Sequence, residues 1–462
     1  MQIKEGGKHM EELIEEIIEL ISQKKMSKLS EKLKEINSAD FPILFEELNE
    51  EDTIIVYRLL PKDKAAEVFV ELDSDLQEKL INVFTDKELK GVIDELFMDD
   101  TVDLIEEMPS NVVKRILKNI DQSDRNTINE LLKFPEDSAG SIMTTEFVEL
   151  KENMTVDEAF NIIKKTGIKK ETVYNCYVVD PYRKLIATIN VREMLIAERD
   201  TKIKDIYKEN VISVLTTDDK EEVAKMFDKY NYMALPVVDK ENRLVGIVTV
   251  DDAIDVMQDE ATEDFEKMAA ISPAEDTYFK TSVITHAKNR ILWLLVLMLS
   301  ATFTGLIIER FQTAIAAVPL LATFMTMISG TGGNCGAQSS TLIIRGLVLG
   351  EIKLSDVFKA IWKEFRVALI IGIILALVTG LRIFLQYRGS LGLDTTLQLM
   401  QVVGITLILT AIIAEFMGCV LPILAKKLKL DPAIMASPLI TTIVDLCSMF
   451  IYFNVATLIM GL

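Results

Sequence analysis

The stretch "ILWLLVLMLSATFTGLII", residues 291–308, decides the class of this protein. It carries no charge and comes close to the roughly 20 apolar residues that a helix needs to cross a hydrocarbon layer about 30 Å thick. The same texture returns near 313–343, 367–385, 398–425 and 432–460, so the C-terminal part reads as five membrane spans. Short charged loops separate them: Glu309 and Arg310, then Arg345 to Arg366, Arg382 to Asp394, and Lys426 to Asp431.

Upstream, the composition changes. The first 289 residues hold 63 Asp and Glu against 38 Lys and Arg, and the remaining 173 hold 8 against 12, so the net charge of -21 sits entirely in the first part. An acidic soluble region of this kind disfavours nucleic acid and anionic lipid as partners and attracts cations. It opens on "MEELIEEIIELISQ", an acidic amphipathic helix and not a cleavable leader, so a cytosolic N-terminal region is expected. Loop charges agree: Lys280, Lys288, Arg290, Arg345, Lys353, Lys359, Lys363, Arg366, Lys426, Lys427 and Lys429 fall on one side, and only Arg310, Arg382 and Arg388 on the other. By the positive-inside rule this predicts a multi-pass protein of the plasma (inner) membrane with its N-terminal domains in the cytosol. The four cysteines, Cys176, Cys335, Cys419 and Cys447, show no paired spacing, and there are two histidines. Any metal handled here is therefore expected to be a hard cation held by oxygen.

An internal repeat occupies the middle of the chain. "YVVDPYRKLIATINVRE" at 177–193 aligns without a gap with "PVVDKENRLVGIVTVDD" at 236–252, an offset of 59 residues. Each copy reads as strand, turn, strand and helix, preceded by an amphipathic helix, "TVDEAFNIIKK" or "DKEEVAKMFDKY". The pair resembles tandem CBS domains, regulatory modules that often bind adenine nucleotides. Gly246, Val248, Thr249 and Asp252 carry the family's pattern in the second copy, and the resemblance gives the Thr249 hydroxyl and the Asp252 carboxylate contacts to phosphate and ribose, as for ATP. The first copy departs from the pattern with Ala187, Asn190 and Glu193. A plain helix N-terminal role for Asp252 has equal weight, because an acid there complements the helix dipole. Before the repeat, residues 10–135 read as short helices punctuated by Pro42, Pro61 and Pro109, stacked as an all-α superhelix. There Asp99 and Asp103, four apart, share a face; alone, such a pair is ordinary solvated surface.

Polar residues inside the membrane part need a reason. Asp431 and Pro432 suit the start of the last span, which places Asp445 roughly 21 Å further along a helix. Thr441, Thr442 and Ser448 lie beside it. A carboxylate there must face water, a polar helix or an ion. It could also be protonated or bonded to neighbouring threonines, but no Lys, Arg or His lies deep in a span to pair with it. In the second span, "SGTGGNCGAQSSTLIIRG" lacks the Gly-Lys-Ser/Thr ending of a phosphate loop. Its glycines permit close packing or an interrupted helix, while Asn334, Gln338 and Thr341 add a polar stripe that packing does not require. Glu415 is a second intramembrane acid; it lines the same cavity, binds a coupled proton or sits protonated between helices, the last ranking first.

"GTGGNCGAQSSTLIIRG", "DPAIMASPLITTIVD", the CBS pair and the helical N-terminal region occur here in the order found in the MgtE family of magnesium channels and transporters, which the whole chain resembles. The resemblance implies a homodimer with five spans per subunit in membrane lipid, an Asp445 that recognises hydrated magnesium on the dimer axis, and a pore region including Asn334, Ser437, Pro438 and Thr441. Ser437 replaces the asparagine expected before that proline. The resemblance also implies a connecting plug helix whose acids, bridged by magnesium to the other domains, close the pore: Asp99, Asp103, Asp252, Asp255, Glu260, Glu263, Asp264 and Asp431. The expected organisation is an N-terminal helical domain at 1–136, CBS domains at 137–200 and 201–258, a connecting helix at 259–289 and a membrane domain at 290–462. The function so implied is passive magnesium uptake closed by cytosolic magnesium. Alternatives are a proton- or sodium-coupled exchanger acting through Glu415, and a membrane-anchored nucleotide sensor. No nucleophile-base pair supports an enzyme.

Overall fold

The computed structural model describes residues 2–274, 278–435 and 437–461; the side chains of residues 2–9 and of Ser437 lie outside that description. The chain forms two compact units, 1–258 and 259–462.

In the first unit, short helices follow one another from Gln2–Ser22 to Gln122–Leu131. Their starts are written in side chains that satisfy backbone N–H groups a helix leaves unpaired. Asn49 accepts from the Asp52 N–H at 3.0 Å, and Thr85 and Glu88 form a reciprocal capping box. Pro42 lies in the first turn of Phe41–Glu46, while Pro61 and Pro109 immediately precede Lys62–Val70 and Ser110–Asn119. The buried faces of these helices, with Phe41, Phe69, Ile81 and Ile116, share one core with Val237 and Val248 of the second repeat copy. This common core fixes the acidic helix Met98–Glu107 against the repeat.

The repeat builds two three-stranded sheets of the same order: β1 Val148–Lys151, β2 Asn175–Val179 and β3 Leu185–Asn190, then β4 Val214–Leu215, β5 Ala234–Val238 and β6 Leu244–Thr249. In each sheet the first pair of strands is parallel and the second antiparallel. The 59-residue offset carries β2 onto β5 and β3 onto β6. It also carries the register shift at Val178/Val179 onto Val237/Val238, and the left-handed turn residue Arg183 onto Asn242. Phe147, Tyr177 and Val179 pack on Ala234, Val238 and Ile247 between the copies.

A helix, Val250–Met268, leaves β6 directly. It runs through the boundary expected at 258/259, so the helix of the second CBS copy and the connecting helix are one element. It closes at Ala270, whose φ of 55° is left-handed, with the Ile271 N–H on the Glu266 carbonyl at 2.9 Å. Residues 275–277 of the expected connecting segment lie outside the described residues.

The second unit contains the helices Val283–Arg310, Leu321–Val348, Val357–Tyr387, Leu393–Lys427 and Ser437–Met460. Among the described residues, four stretches are long and apolar enough to cross a membrane: Val283–Arg310, Leu354–Tyr387, Leu393–Lys427 and Pro432–Met460. Leu321–Val348 has 28 residues, which at about 1.5 Å each is also sufficient length, but glycine, hydroxyl and amide residues dilute its apolarity. That helix is continuous, so its glycines do not interrupt it, and Gly332, Gly333 and Gly336 serve contact. A Cβ on Gly332 would stand 2.6 Å from Thr410 Cγ2, one on Gly333 2.7 Å from Thr441 Cγ2, and one on Gly336 2.8 Å from Ile440 Cγ2. Val357–Tyr387 begins ten residues before the expected 367, which takes Glu364 out of the predicted loop and buries it in the helix.

Candidate cation sites

Asp445 is the ninth residue of Ser437–Met460. It is half-buried, and Ser329 of Leu321–Val348 donates its hydroxyl to Oδ1 at 2.6 Å. The neighbouring hydroxyls are satisfied locally: Thr442 donates to the Pro438 carbonyl at 2.8 Å and Ser448 to that of Val444 at 2.6 Å. Two polar helices thus meet at a carboxylate that keeps accepting capacity. Asn334, Gln338 and Thr341 are all exposed along the outer surface of Leu321–Val348. Pro438 and Thr441 are half-buried, Thr441 on Gly333, and the side chain of Ser437 lies outside the described residues.

Glu415 is buried on Leu393–Lys427, and Glu364 is buried on Val357–Tyr387. Ser339 donates to Glu364 Oε2 at 2.8 Å and approaches the Glu415 carbonyl at 3.2 Å. Ser339 thus links the two acidic residues across the packed helices. Glu364 was hidden from sequence reading because it sits in "IWKEFRV", where Lys363 and Arg366 suggest a loop.

In the first unit, Asp99 is buried on Met98–Glu107, and Asp252 begins Val250–Met268 beside it electrostatically. Burial, and then the nearness of Asp252, hold the Asp99 carboxyl well above the usual carboxylate range. The same causes push Asp100 up to about 6 and raise Asp103, which is exposed on one side. Burial, then Asp100, Asp251 and Asp252, push Glu171 up to about 8, and Glu171 Oε2 is buried without a hydrogen-bond partner. Glu146 caps the acidic helix by accepting the Met98 N–H at 2.9 Å. Sequence reasoning found Asp99, Asp103 and Asp252 but missed Asp100, Glu146 and Glu171; the last two lie in the irregular segments flanking β1 and β2, with no periodicity to place them. Among the described residues, no three His, Cys, Asp or Glu groups converge as a closed set of metal ligands.

Asp252 also accepts the Thr249 hydroxyl and, at 3.3 Å, the Thr249 N–H. This is a helix-start role for Asp252. The open cleft of the CBS pair lies elsewhere. It has a volume of about 330 Å³ and is lined by Tyr177, Asn190, Glu193, Lys208, Asn231 and Tyr232, so it falls at the first copy's departing pattern. Lys208 pairs with Glu193 at 2.7 Å, and the buried Tyr177 hydroxyl has no hydrogen-bond partner.

Along Val250–Met268, Asp255 is exposed, whereas Glu260, Glu263 and Asp264 are half-buried. Asp431 caps the turn Pro432–Met435, accepting the Ala433 N–H at 2.8 Å on Oδ1, while Oδ2 faces Lys267 Nζ at 2.8 Å. The expected cap thus serves a 3-10 turn ahead of the last helix.

Comparison with known proteins follows the same division. Residues 325–455 match the MgtE family model, described as a divalent cation transporter; 36–137 match the MgtE intracellular N domain; and 139–200 and 203–259 match CBS domains. The chain is 34% identical to the magnesium transporter MgtE of Thermus thermophilus over 94% of its length and 95% of the relative's. It is 34% identical to that of Bacillus subtilis over 97% of both chains. Among solved structures, the soluble part of a magnesium transporter is 32% identical, with a TM-score of 0.51, covering 55% of this chain and 99% of that one. The cytosolic domain of the magnesium channel MgtE in complex with ATP is 35% identical, with a TM-score of 0.50, covering 52% and 98%. With relatives this similar spanning nearly its full length, the chain belongs to the MgtE family of divalent cation transporters.

Proposed function

We propose that the protein carries magnesium across the plasma membrane as a homodimer with five spans per subunit, N-terminal domains in the cytosol, and Asp445 as the ion-recognition residue. The observation that carries this reading is the outward-facing polar stripe Asn334, Gln338 and Thr341 on a helix that also supplies Ser329 to Asp445. In lipid such a stripe is costly; against a second copy around a water-filled path it is satisfied. Magnesium gives up its waters reluctantly, so a pore needs few carboxylates placed for a hydrated ion, and one aspartate per chain on a two-fold axis meets that need. The function is transport and not catalysis. In flux assays with purified protein in liposomes, Asp445→Ala is expected to abolish magnesium uptake while the dimer remains intact. Wild-type uptake by that variant removes the assignment.

Regulation is the second part of the proposal. Magnesium held by Asp99, Asp103 and Asp252, and by Asp255, Glu260, Glu263, Asp264 and Asp431, closes the pore when cytosolic magnesium is high. Apposed carboxylates repel, and a dication reverses that sign. An adenine nucleotide such as ATP fits the CBS pair, where Thr249 and Asp252, or the cleft lined by Tyr177, Asn190 and Lys208, offer polar groups for it.

A further inference from the structure

Lys267 lies in the last turn of Val250–Met268 and is mostly covered. Its Nζ stands 2.7 Å from Glu263 Oε1, one turn back on the same helix, and 2.8 Å from Asp431 Oδ2, 164 residues further along the chain. The surroundings hold all three groups in place. Glu263 is one helical turn away, where a carboxylate N-terminal to a lysine has the favourable orientation. The helix end is closed by the left-handed Ala270, and Glu266 Oε2 takes the Ala274 N–H at 3.1 Å, so the chain after Lys267 is turned back on its own helix. Asp431 is oriented by the Ala433 N–H on its other oxygen. One ammonium therefore bridges two carboxylates from distant parts of the sequence, which is the work a bridging metal does.

We propose that Lys267 is a built-in counter-cation: it ties the end of the connecting helix to the start of the last membrane helix without metal, and a divalent cation taken by Glu263 and Asp431 must first displace it. The chemistry follows from charge. With the ammonium in place the trio carries one net negative charge, and the two carboxylates have a donor that competes for the same oxygens. A dication exchanged for the ammonium makes the two oxygens ligands and releases Lys267 to water. Lys267 thereby raises the magnesium concentration at which this contact becomes metal-bridged. The displacement rests on the magnesium-closing reading above; the tie does not.

The test is limited proteolysis of the 253–289 segment in the full-length protein in lipid nanodiscs, comparing wild type, Lys267→Met and Lys267→Arg. In EDTA, Lys267→Met is expected to be cut about fivefold faster than wild type, the scale of two partly exposed ion pairs, and Lys267→Arg at the wild-type rate. With magnesium added, Lys267→Met is expected to regain protection at a lower concentration than wild type. Equal rates for wild type and Lys267→Met in EDTA overturn the tie, and an unchanged or higher magnesium midpoint overturns the displacement. If magnesium closing itself is wrong, wild-type protection stays flat with magnesium while the EDTA difference persists.

Discussion

Asp100 and Glu171 show how a single residue's titration reports on the acidic cluster around Asp99 and Asp252. Both carboxyls are raised, by burial first and by neighbouring acids second, to about 6 and about 8. A carboxyl whose folded-state pKa exceeds its unfolded value binds its proton more tightly when folded. Its protonation therefore contributes stability in full below the ordinary carboxylate range, and that contribution is lost as pH rises through the folded values. In EDTA the melting temperature of the soluble region is expected to fall between about pH 5.5 and about pH 8.5. Saturating magnesium, which neutralises the same charges, is expected to flatten that slope. Melts independent of pH in EDTA would show that these acids are not crowded together. Little of this was legible in the sequence. Asp99 and Asp103 announce themselves by helical spacing, whereas Glu171 and Glu146 come from loops whose position depends on the shared core of the N-terminal helices and the second repeat copy. Glu364 was misread for the opposite reason: its charged neighbours hid a helix that buries it.

At the level of elements, the paired strands β2–β3 and β5–β6 were legible, because a 59-residue offset preserves register, bulge and turn residue together, whereas β1 and β4 lie outside the aligned stretches. The helix Leu321–Val348 was legible as a helix but not in shape: glycines allow both a break and a close contact, and only the neighbouring backbone decides. It decides for contact, most tightly at Gly418 of Leu393–Lys427, where an added Cβ would lie 2.5 Å from the Gly336 carbonyl oxygen and 3.1 Å from the Ser340 nitrogen. Backbone cannot step aside as a side chain can. Gly418→Ala is therefore expected to destabilise the membrane unit by about 1–3 kcal/mol, the usual range for an overpacked site. Gly305 of Val283–Arg310, exposed and with nothing within 4 Å of an added Cβ, is the control. Gly305→Ala is expected to be neutral or to stabilise by up to about 1 kcal/mol, because alanine is the better helix former. Thermal unfolding of the two variants in detergent checks the pair, and equal effects would mean that the helices do not meet at Gly418.

At the scale of the whole molecule, the question is what drives the ion. A dication moving toward an inside-negative potential of about 100 mV gains roughly 4.6 kcal/mol, twice the single-charge figure, so uptake needs neither fuel nor a counter-ion. The membrane unit bears on this through its two kinds of acid. Asp445 is half-buried and keeps accepting capacity beside Ser329, as an ion-facing group must. Glu415 is buried between packed helices, where Ser339 approaches its backbone carbonyl at 3.2 Å while donating to Glu364 Oε2 at 2.8 Å. In liposomes whose potential is clamped with potassium and an ionophore, magnesium influx is expected to rise with internal negativity and to ignore an imposed pH gradient. Glu415→Gln, which keeps the size of the buried side chain, is expected to retain most of that flux, whereas Asp445→Ala retains none. Influx that follows the pH gradient, together with a loss in Glu415→Gln as complete as in Asp445→Ala, would make Glu415 a coupling site and the protein an exchanger.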